Sequence, residues 1–343
     1  MPTTTARLTL PPAITLSTSS RLHLGFIDPN GSLGRVFGSV GVSIDGHDTR
    51  ITVRRTHQHP RIDGAKTDAQ RERIVRYIAQ LQAAFNVAQQ VDIELHETPR
   101  AHTGLGSGTQ LALAIGTAFT RLAGIEASTP DIARILERGA RSGIGIHGFD
   151  HGGLIVDGGR SIQHAGRGTP PLLARQAFPE NWRVLLIDDI SREGLHGDEE
   201  RRGLASLKPF PATLAAHLSH LVLMRMLPAV AEADFAVFAD AVSDMQQTIG
   251  EYFAPVQGGV FASPAVARAL EAVGAERKAG IGQTSWGPVG FAFLESAQEA
   301  ELALDTARRV SAGAPLAFSI ASGRNRGATW RAAEHRHHGA DAA

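Results

Sequence analysis

The 343-residue chain contains no cysteine, which excludes a disulfide framework, a thiol nucleophile and a thiolate metal site. It also lacks an excess of charge of either sign, since Lys+Arg and Asp+Glu both number 34. No net field favours nucleic acid or a membrane surface, so recognition of an anionic ligand has to be local. The chain opens Met-Pro-Thr-Thr-Thr, without the basic and apolar regions of a secretory leader, and no apolar run is read as reaching membrane-spanning length. A soluble cytoplasmic protein is the expectation. A chain of this length can bury a substantial core and is expected to form two domains. No repeat of solenoid period is present.

Glycine is present in quantity, and the rest of the chain is organised around its clearest run: Gly104-Leu105-Gly106-Ser107-Gly108-Thr109-Gln110, leading directly into the uncharged apolar stretch 111–119. Glycine allows positive φ and a close approach of backbone to ligand. The free N–H groups of a helix's first turn, together with its dipole, make an anion site. Val91-Asp-Ile-Glu-Leu alternates like a strand and Pro99 closes it. Strand, glycine loop and buried helix is the order a phosphate cradle needs, although a tight turn before a core helix has the same pattern.

Taken in order, residues 7–16 read as a first strand and Asp28–Gly31 as a turn. Residues 40–44 and 50–54 read as two strands about an Asp45-Gly46 hairpin turn. Thr67 or Asp68 caps a helix to about Phe85, and Thr129-Pro130-Asp131 starts another that ends near Gly139. A second glycine-dense segment, 141–159, carries Asp150, His151 and Asp157. Residues 165–182 are the linker candidate. Two helices split near Pro228 are expected over 211–253, and Ser296 with Glu299 forms a capping box for a helix to about Val310. Strands are expected at 184–187, 289–294 and 315–321, with a frayed tail after Ser322. His57 and His59, and His335, His337 and His338, read as solvated loop and tail residues and not as metal tracts.

The first loop at 19–31, Pro99 with Gly104-Leu-Gly-Ser-Gly, and a glycine loop near the C-terminus resemble the GHMP kinase superfamily in order and spacing. That resemblance implies an α/β (α+β) two-domain fold. Its phosphate-binding N-terminal domain (1–165) is ribosomal S5-like, its C-terminal domain (180–322) is ferredoxin-like, and 323–343 is a flexible tail. Two details depart from a kinase. Ser142-Gly143-Ile144 is followed by Gly145, where many members carry a catalytic aspartate, and the third glycine loop reads Gly282-Gln-Thr-Ser-Trp-Gly-Pro.

Ser20-Arg-Leu-His-Leu, Asp28-Pro-Asn-Gly, Gly34-Arg35, Gly104-Leu-Gly-Ser-Gly-Thr-Gln, Ser142-Gly-Ile-Gly, Phe149-Asp-His-Gly-Gly and Gly282-Gln-Thr-Ser-Trp-Gly-Pro resemble the β-ribofuranosylaminobenzene 5′-phosphate synthase family. This is a branch of the same superfamily that does not act as a kinase. The resemblance implies condensation of phosphoribosyl pyrophosphate with 4-aminobenzoate or 4-hydroxybenzoate, releasing pyrophosphate and carbon dioxide, on the way to tetrahydromethanopterin. Under it, Gly104 to Gln110 cradle the diphosphate, with Mg²⁺ bridging its oxygens. Arg21 and Arg35 take the 5′-phosphate or the benzoate carboxylate. Asp28 and Asp150 hold Mg²⁺ or accept a proton, His23 is a further acid–base candidate, and Gln283, Thr284, Ser285 and Trp286 bind substrate. A homodimer is the expected assembly. An ATP-dependent small-molecule kinase and a non-catalytic binder of phosphate ligands are the competing readings.

Overall fold

The computed structural model describes residues 10–101, 103–163, 168–194, 202–203, 205–284 and 287–333. Two long strands, β1 (Ala13–Asp28) and β2 (Arg35–Arg55), pair antiparallel and anchor an eight-stranded sheet. On the side of β2, β4 (Val91–Glu97) and the short parallel β3 (Ile62–Asp63) complete one edge. The other end of β2 pairs with β5 (Leu154–Asp157) and β6 (Arg160–Ser161), and β7 (Leu172–Gln176) adds to β5. The second sheet has the order β11 (Leu316–Ser322), β8 (Arg183–Asp189), β10 (Val289–Leu294), β9 (Gly280–Gln283).

Helices fill the layers between and outside the sheets. On one face of the first sheet lie α1 (Asp68–Phe85), α2 (Ser107–Ala123) and α3 (Thr129–Ile135), burying Ile74, Leu113, Phe119 and Ile132 against Ile14, Ile51 and Val53. The short α4 (Ile144–His151) runs into β5. Between the sheets sit α5 (Ala212–Glu232) and α6 (Phe235–Gln257), where Phe238, Val242 and Met245 meet Leu22 and Leu24 on one side and Val184, Phe291 and Phe293 on the other. Outside the second sheet, α7 (Pro264–Glu276) and α8 (Ala297–Val310) close a third core.

Several local expectations are revised. Residues 40–54 form no hairpin: β1 pairs along both halves of β2, and Asp45-Gly46 is a bulge opposite Thr18–Ser20, with Gly46 at φ 87°. The 165–182 segment is more than a linker, because β7 joins the first sheet and Phe178 and Trp182 are buried. The break between the long helices falls at Ala233-Asp234, where Asp234 caps α6 by accepting from Val237 N–H. Pro228 stays inside α5 because a π turn at Val222–Met226 widens the backbone just before it. By length and composition α5 could cross a membrane, contrary to the expectation of no such run, yet Leu218, Val222 and Met226 pack it into the central core. Residues 323–333 of the expected tail are also built into the fold. Its strand β12 (Thr329–Ala332) pairs with Ile14–Ser17 of β1, and Arg324 is buried between Asp45 and Asp48 (3.2 and 3.3 Å).

Candidate active site

Helices α1, α3, α6, α7 and α8 each open under a side chain, Thr67, Ser128, Asp234, Ser263 and Ser296 respectively, that accepts a first-turn N–H. Helix α2 opens differently. Its N-cap is Gly106 in the left-handed region (φ 78°), with no side-chain cap. The N–H groups of Thr109 and Gln110 turn back to the Gly106 carbonyl (3.0 and 3.2 Å), and those ahead of them have no acceptor within the helix. The positive end of a 17-residue helix is therefore left uncapped by side chains.

That end faces a cavity of about 390 Å³. Gly104, Gly106, Ser107, Gly108 and Thr109 line one side, Arg21, His23 and Phe26 of β1 the floor, and Arg73 of α1 with residues 137–142 the rest. Arg21, Arg73, Arg138 and Arg141 thus converge with Glu137 as the one lining carboxylate among the described residues, in a chain of zero net charge. Arg21 Nη1 donates to the Gly104 carbonyl (2.6 Å), and its backbone N–H donates to that of Leu105 (3.1 Å). A Cβ on Gly106 would stand 3.1 Å from Arg21 Cζ, so loop and guanidinium are in contact. Burial lowers Arg21 from 12.5 to about 10, which leaves it charged at neutral pH.

Left-handed Glu137 (φ 56°) turns the chain after α3, and Arg138 N–H donates back to the Ala133 carbonyl (2.7 Å). The turn lays the Arg138 guanidinium over α2: its Nη2 is 2.9 Å, and Arg73 Nη1 3.6 Å, from where a Cβ on Gly108 would stand. The Nε atoms of Arg21 and Arg138 are buried without a hydrogen-bond partner, and among the described residues no carboxylate pairs with Arg21, Arg73 or Arg138. Partially buried, unpaired guanidinium groups around an uncapped helix end call for a multiply charged anion.

His23 projects from the same face of β1 as Arg21. It is buried, and burial followed by the Arg21 charge holds its pKa well below 6.5, so the imidazole is neutral at neutral pH. The register shift between His23 and Gly25 sets Phe26 edge-on to it, with ring centroids 4.8 Å apart.

The cavity gathers Arg21, His23, Gly104, Gly106, Ser107, Gly108 and Thr109. The remaining expected residues are placed elsewhere. Asp28 spends its carboxylate on its own turn, accepting from Asn30, Gly31 and Ser32 N–H and from Ser32 Oγ. Asp150 accepts from Thr129 Oγ1 (2.6 Å) and lines a separate cavity of about 510 Å³ with Arg121 and Trp330, near the C-terminal end of α2. The two aspartates therefore form no shared Mg²⁺ site, and among the described residues no cluster of three His, Asp or Glu side chains is placed to hold a metal. Arg35 donates to the carbonyls of Gly158 and Gly159 (2.6 and 2.7 Å), tying β2 to a turn. Leu105 is buried. Gln110 is an internal strut that accepts from Thr18 Oγ1 (2.5 Å) and donates to the Gly145 carbonyl (2.8 Å).

The described residues of the third glycine loop contact Thr103 and Gly104 ahead of α2. Thr284 Oγ1 donates to the Thr103 carbonyl (3.1 Å), and a Cβ on Gly104 would stand 2.2 Å from Thr284 Oγ1. Gln283 accepts from Ala262 N–H and donates to Gln257, bracing the second sheet. Ser285 and Trp286 lie outside the described residues. Arg138 and Arg141 were legible in principle, as two arginines beside Gly139 ahead of a glycine-dense segment. Arg73 shares the polar stripe of α1 with Arg71 and Arg76, and nothing in its spacing distinguishes it.

Comparison with known proteins agrees with this geometry. Residues 72–155, which include the loop and α2, match the family described as GHMP kinases N terminal domain. The chain is similar to the homoserine kinase structure from Cytophaga hutchinsonii, with TM-score 0.66 at 14% identity over 96% of this chain and 100% of that one, a likeness of fold alone. It is 39% identical over 242 residues to the beta-ribofuranosylphenol 5′-phosphate synthase of Archaeoglobus fulgidus, covering 68% of this chain and 75% of that protein. It is 30% identical over 334 residues to the protein of the same name from Methanothermobacter thermautotrophicus, covering 91% and 97%. A fold shared with kinases and these two relatives agree: the chain belongs to the beta-ribofuranosylphenol 5′-phosphate synthase family.

Proposed function

We propose that the protein joins phosphoribosyl pyrophosphate to 4-hydroxybenzoate, releasing pyrophosphate and carbon dioxide, to give a β-ribofuranosylphenol 5′-phosphate on the way to tetrahydromethanopterin. The observation that carries this reading is the placing of Arg21, Arg73 and Arg138, none of them paired with a carboxylate among the described residues, over the uncapped start of α2. Loss of pyrophosphate from ribose C1 develops negative charge on the leaving group and an oxocarbenium-like centre on the sugar. Preorganised donors aimed at the leaving group lower that barrier. Backbone N–H groups of 106–108 with Arg73 and Arg138 fit the diphosphate, and Arg21 fits a second anionic group, the 5′-phosphate or the carboxylate. The ring carbon bearing the carboxylate attacks C1 as the C1–O bond breaks, its electron pair leaving with pyrophosphate. The carbon–carboxylate bond then breaks, its pair returns to the ring, and carbon dioxide departs. A para hydroxyl supports the attack by donating electrons, and neutral His23 is our candidate to take its proton as the ring is attacked and to return it to the phenolate oxygen as carbon dioxide departs. Names of the relatives favour the hydroxy over the amino substrate.

Mg²⁺, bound through diphosphate oxygens with Glu137 as the lining carboxylate, would supply further charge neutralisation. We place the enzyme in the cytoplasm as a homodimer, in keeping with charged substrates. An ATP-dependent kinase is disfavoured by Gly145, which supplies no carboxylate base there; a Cβ at this position would stand 3.2 Å from Thr109 Cγ2, so any side chain would have to displace Thr109. Purified protein given phosphoribosyl pyrophosphate, Mg²⁺ and 4-hydroxybenzoate should release pyrophosphate and carbon dioxide in equal amounts, and neither without the aromatic acid. ATP consumption driven by a small alcohol, carbon dioxide from unsubstituted benzoate, or a product of α configuration would overturn the reading.

A further inference from the structure

We propose that Phe37 is the positioning residue of the aromatic-acceptor subsite: its ring backs Phe26, and Phe26 with His23 forms the wall against which the benzoate ring lies. The proposal rests on the reaction argued above and adds where the ring sits and what holds that place. β2 changes partner at this point, pairing through Val36 with Arg160 of β6 and through Ser39 with Asp157 of β5. The corner between them is made by Phe37 and Gly38, at φ 75° and 58°. Glycine is the ordinary residue for such backbone, and the facing turn crowds it: a Cβ on Gly159 would stand 2.5 Å from Gly38 N.

At position 37 a bulky aromatic residue adopts a conformation such residues avoid. The other non-glycine residues with positive φ, Asn86, Glu137 and Ala233, terminate helices, where the left-handed region is common. Phe37 has no such setting, so its ring is kept against the preference of its backbone. That ring lies 5.1 Å from Phe26, tilted by 47°, and Phe26 lies 4.8 Å from His23 and lines the arginine cavity. Aromatic rings favour these offset and edge-on contacts. The arginines serve the anionic groups, and a flat ring is the part of the substrates that an aromatic wall fits.

Phe37→Gly removes the ring while relieving the backbone; the packing lost from the edge of the central core is only partly offset by the relieved strain, so the protein is expected to fold with a Tm lowered by a few degrees at most. Calorimetry with pyrophosphate present should show 4-hydroxybenzoate binding weakened about tenfold in Phe37→Gly and restored in Phe37→Tyr. Pyrophosphate affinity should stay at the wild-type value in both. Unchanged benzoate binding in Phe37→Gly, or an equal loss of pyrophosphate binding, overturns the proposal. Product release by the wild-type enzyme tests the reaction separately. If no product forms while benzoate binding still follows Phe37, the subsite stands and the chemistry assigned to it falls.

Discussion

Arg138→Ala is the substitution that most directly tests the anion cavity. The guanidinium lies over the first turn of α2, its Nε is buried without a partner, and among the described residues no carboxylate compensates it. Two unit charges 4 Å apart attract by about 4 kcal/mol at an effective dielectric of 20. Desolvation consumes part of that, and hydrogen bonds to charged groups have a net worth of about 1.5–3 kcal/mol. Pyrophosphate affinity should therefore fall by a factor of roughly 10–150. At a concentration of about 100 times its Kd, pyrophosphate stabilises the wild-type fold by about 2.7 kcal/mol, and a thirtyfold weaker site reduces this to about 0.9 kcal/mol. At about 2 °C per kcal/mol for a chain of this size, the ligand-induced rise in Tm should drop from about 5 to about 2 °C. The free protein should change in the opposite sense: with Arg21 and Arg73 nearby and no counterion, removing one cation leaves its Tm unchanged or slightly higher. Arg138→Lys should fall between the two, because the charge stays and the planar fork is lost. Thermal unfolding with and without pyrophosphate, followed by calorimetric titration, measures both terms. A wild-type pyrophosphate Kd in Arg138→Ala would refute the placement of the diphosphate.

The remaining predictions concern stability. Arg324 is 4% exposed and pairs with Asp45 and Asp48, so Arg324→Ala should cost about 2–4 kcal/mol in urea unfolding, the partial exposure of both carboxylates reducing the usual penalty. A loss within about 0.5 kcal/mol would mean that residues 323–333 are the loose tail their sequence suggests. His23 has a folded pKa depressed below its unfolded value, so the unfolded chain holds the extra proton. Its contribution is present above the unfolded value of about 6.5 and is lost as pH falls from there towards the folded pKa. His23→Gln should flatten that part of the stability–pH curve, while His47, also lowered by burial, keeps its own share. An unchanged curve would show that His23 is not held neutral.

Much of the fold was legible because the signals were local. Thr67 and Ser296 mark helix starts by chemistry that acts within one turn. The glycine loop was legible as a local pattern, three glycines before an apolar helix, although the pattern alone did not separate a phosphate cradle from a tight turn. The failures share a different cause. Asp45-Gly46 has the local form of a hairpin, and only the length of β1 on the far side makes it a bulge. β12 contributes exposed side chains at Thr329–Ala332, so no hydrophobic alternation reveals that its backbone completes a sheet. Asp28 and Asp150 are acidic residues in glycine-rich surroundings, and sequence does not reveal that their oxygens are already committed to neighbouring N–H and hydroxyl groups. Arg73 joins the cavity only through the packing of α1 against α2.

The same scaffold serves phosphoryl transfer in kinases and, on our reading, pyrophosphate departure here, and the difference can be stated at the level of two residues. A kinase must hold a phosphoryl group and also deprotonate the hydroxyl that attacks it, so it needs a base near the phosphate loop. When pyrophosphate is the leaving group, the loop needs only to stabilise charge that is departing, and a base beside it has nothing to deprotonate. Gly145, packed against Thr109 of the loop helix with its carbonyl held by Gln110, suits the second task and offers no base for the first. The attacking ring carbon carries a carboxylate and not a proton, so the bond that breaks after attack releases carbon dioxide. Proton chemistry is confined to the para hydroxyl, on the far side of the ring from the reacting carbon. His23, neutral and edge-on to Phe26 in the same cavity, is the acceptor we propose for it.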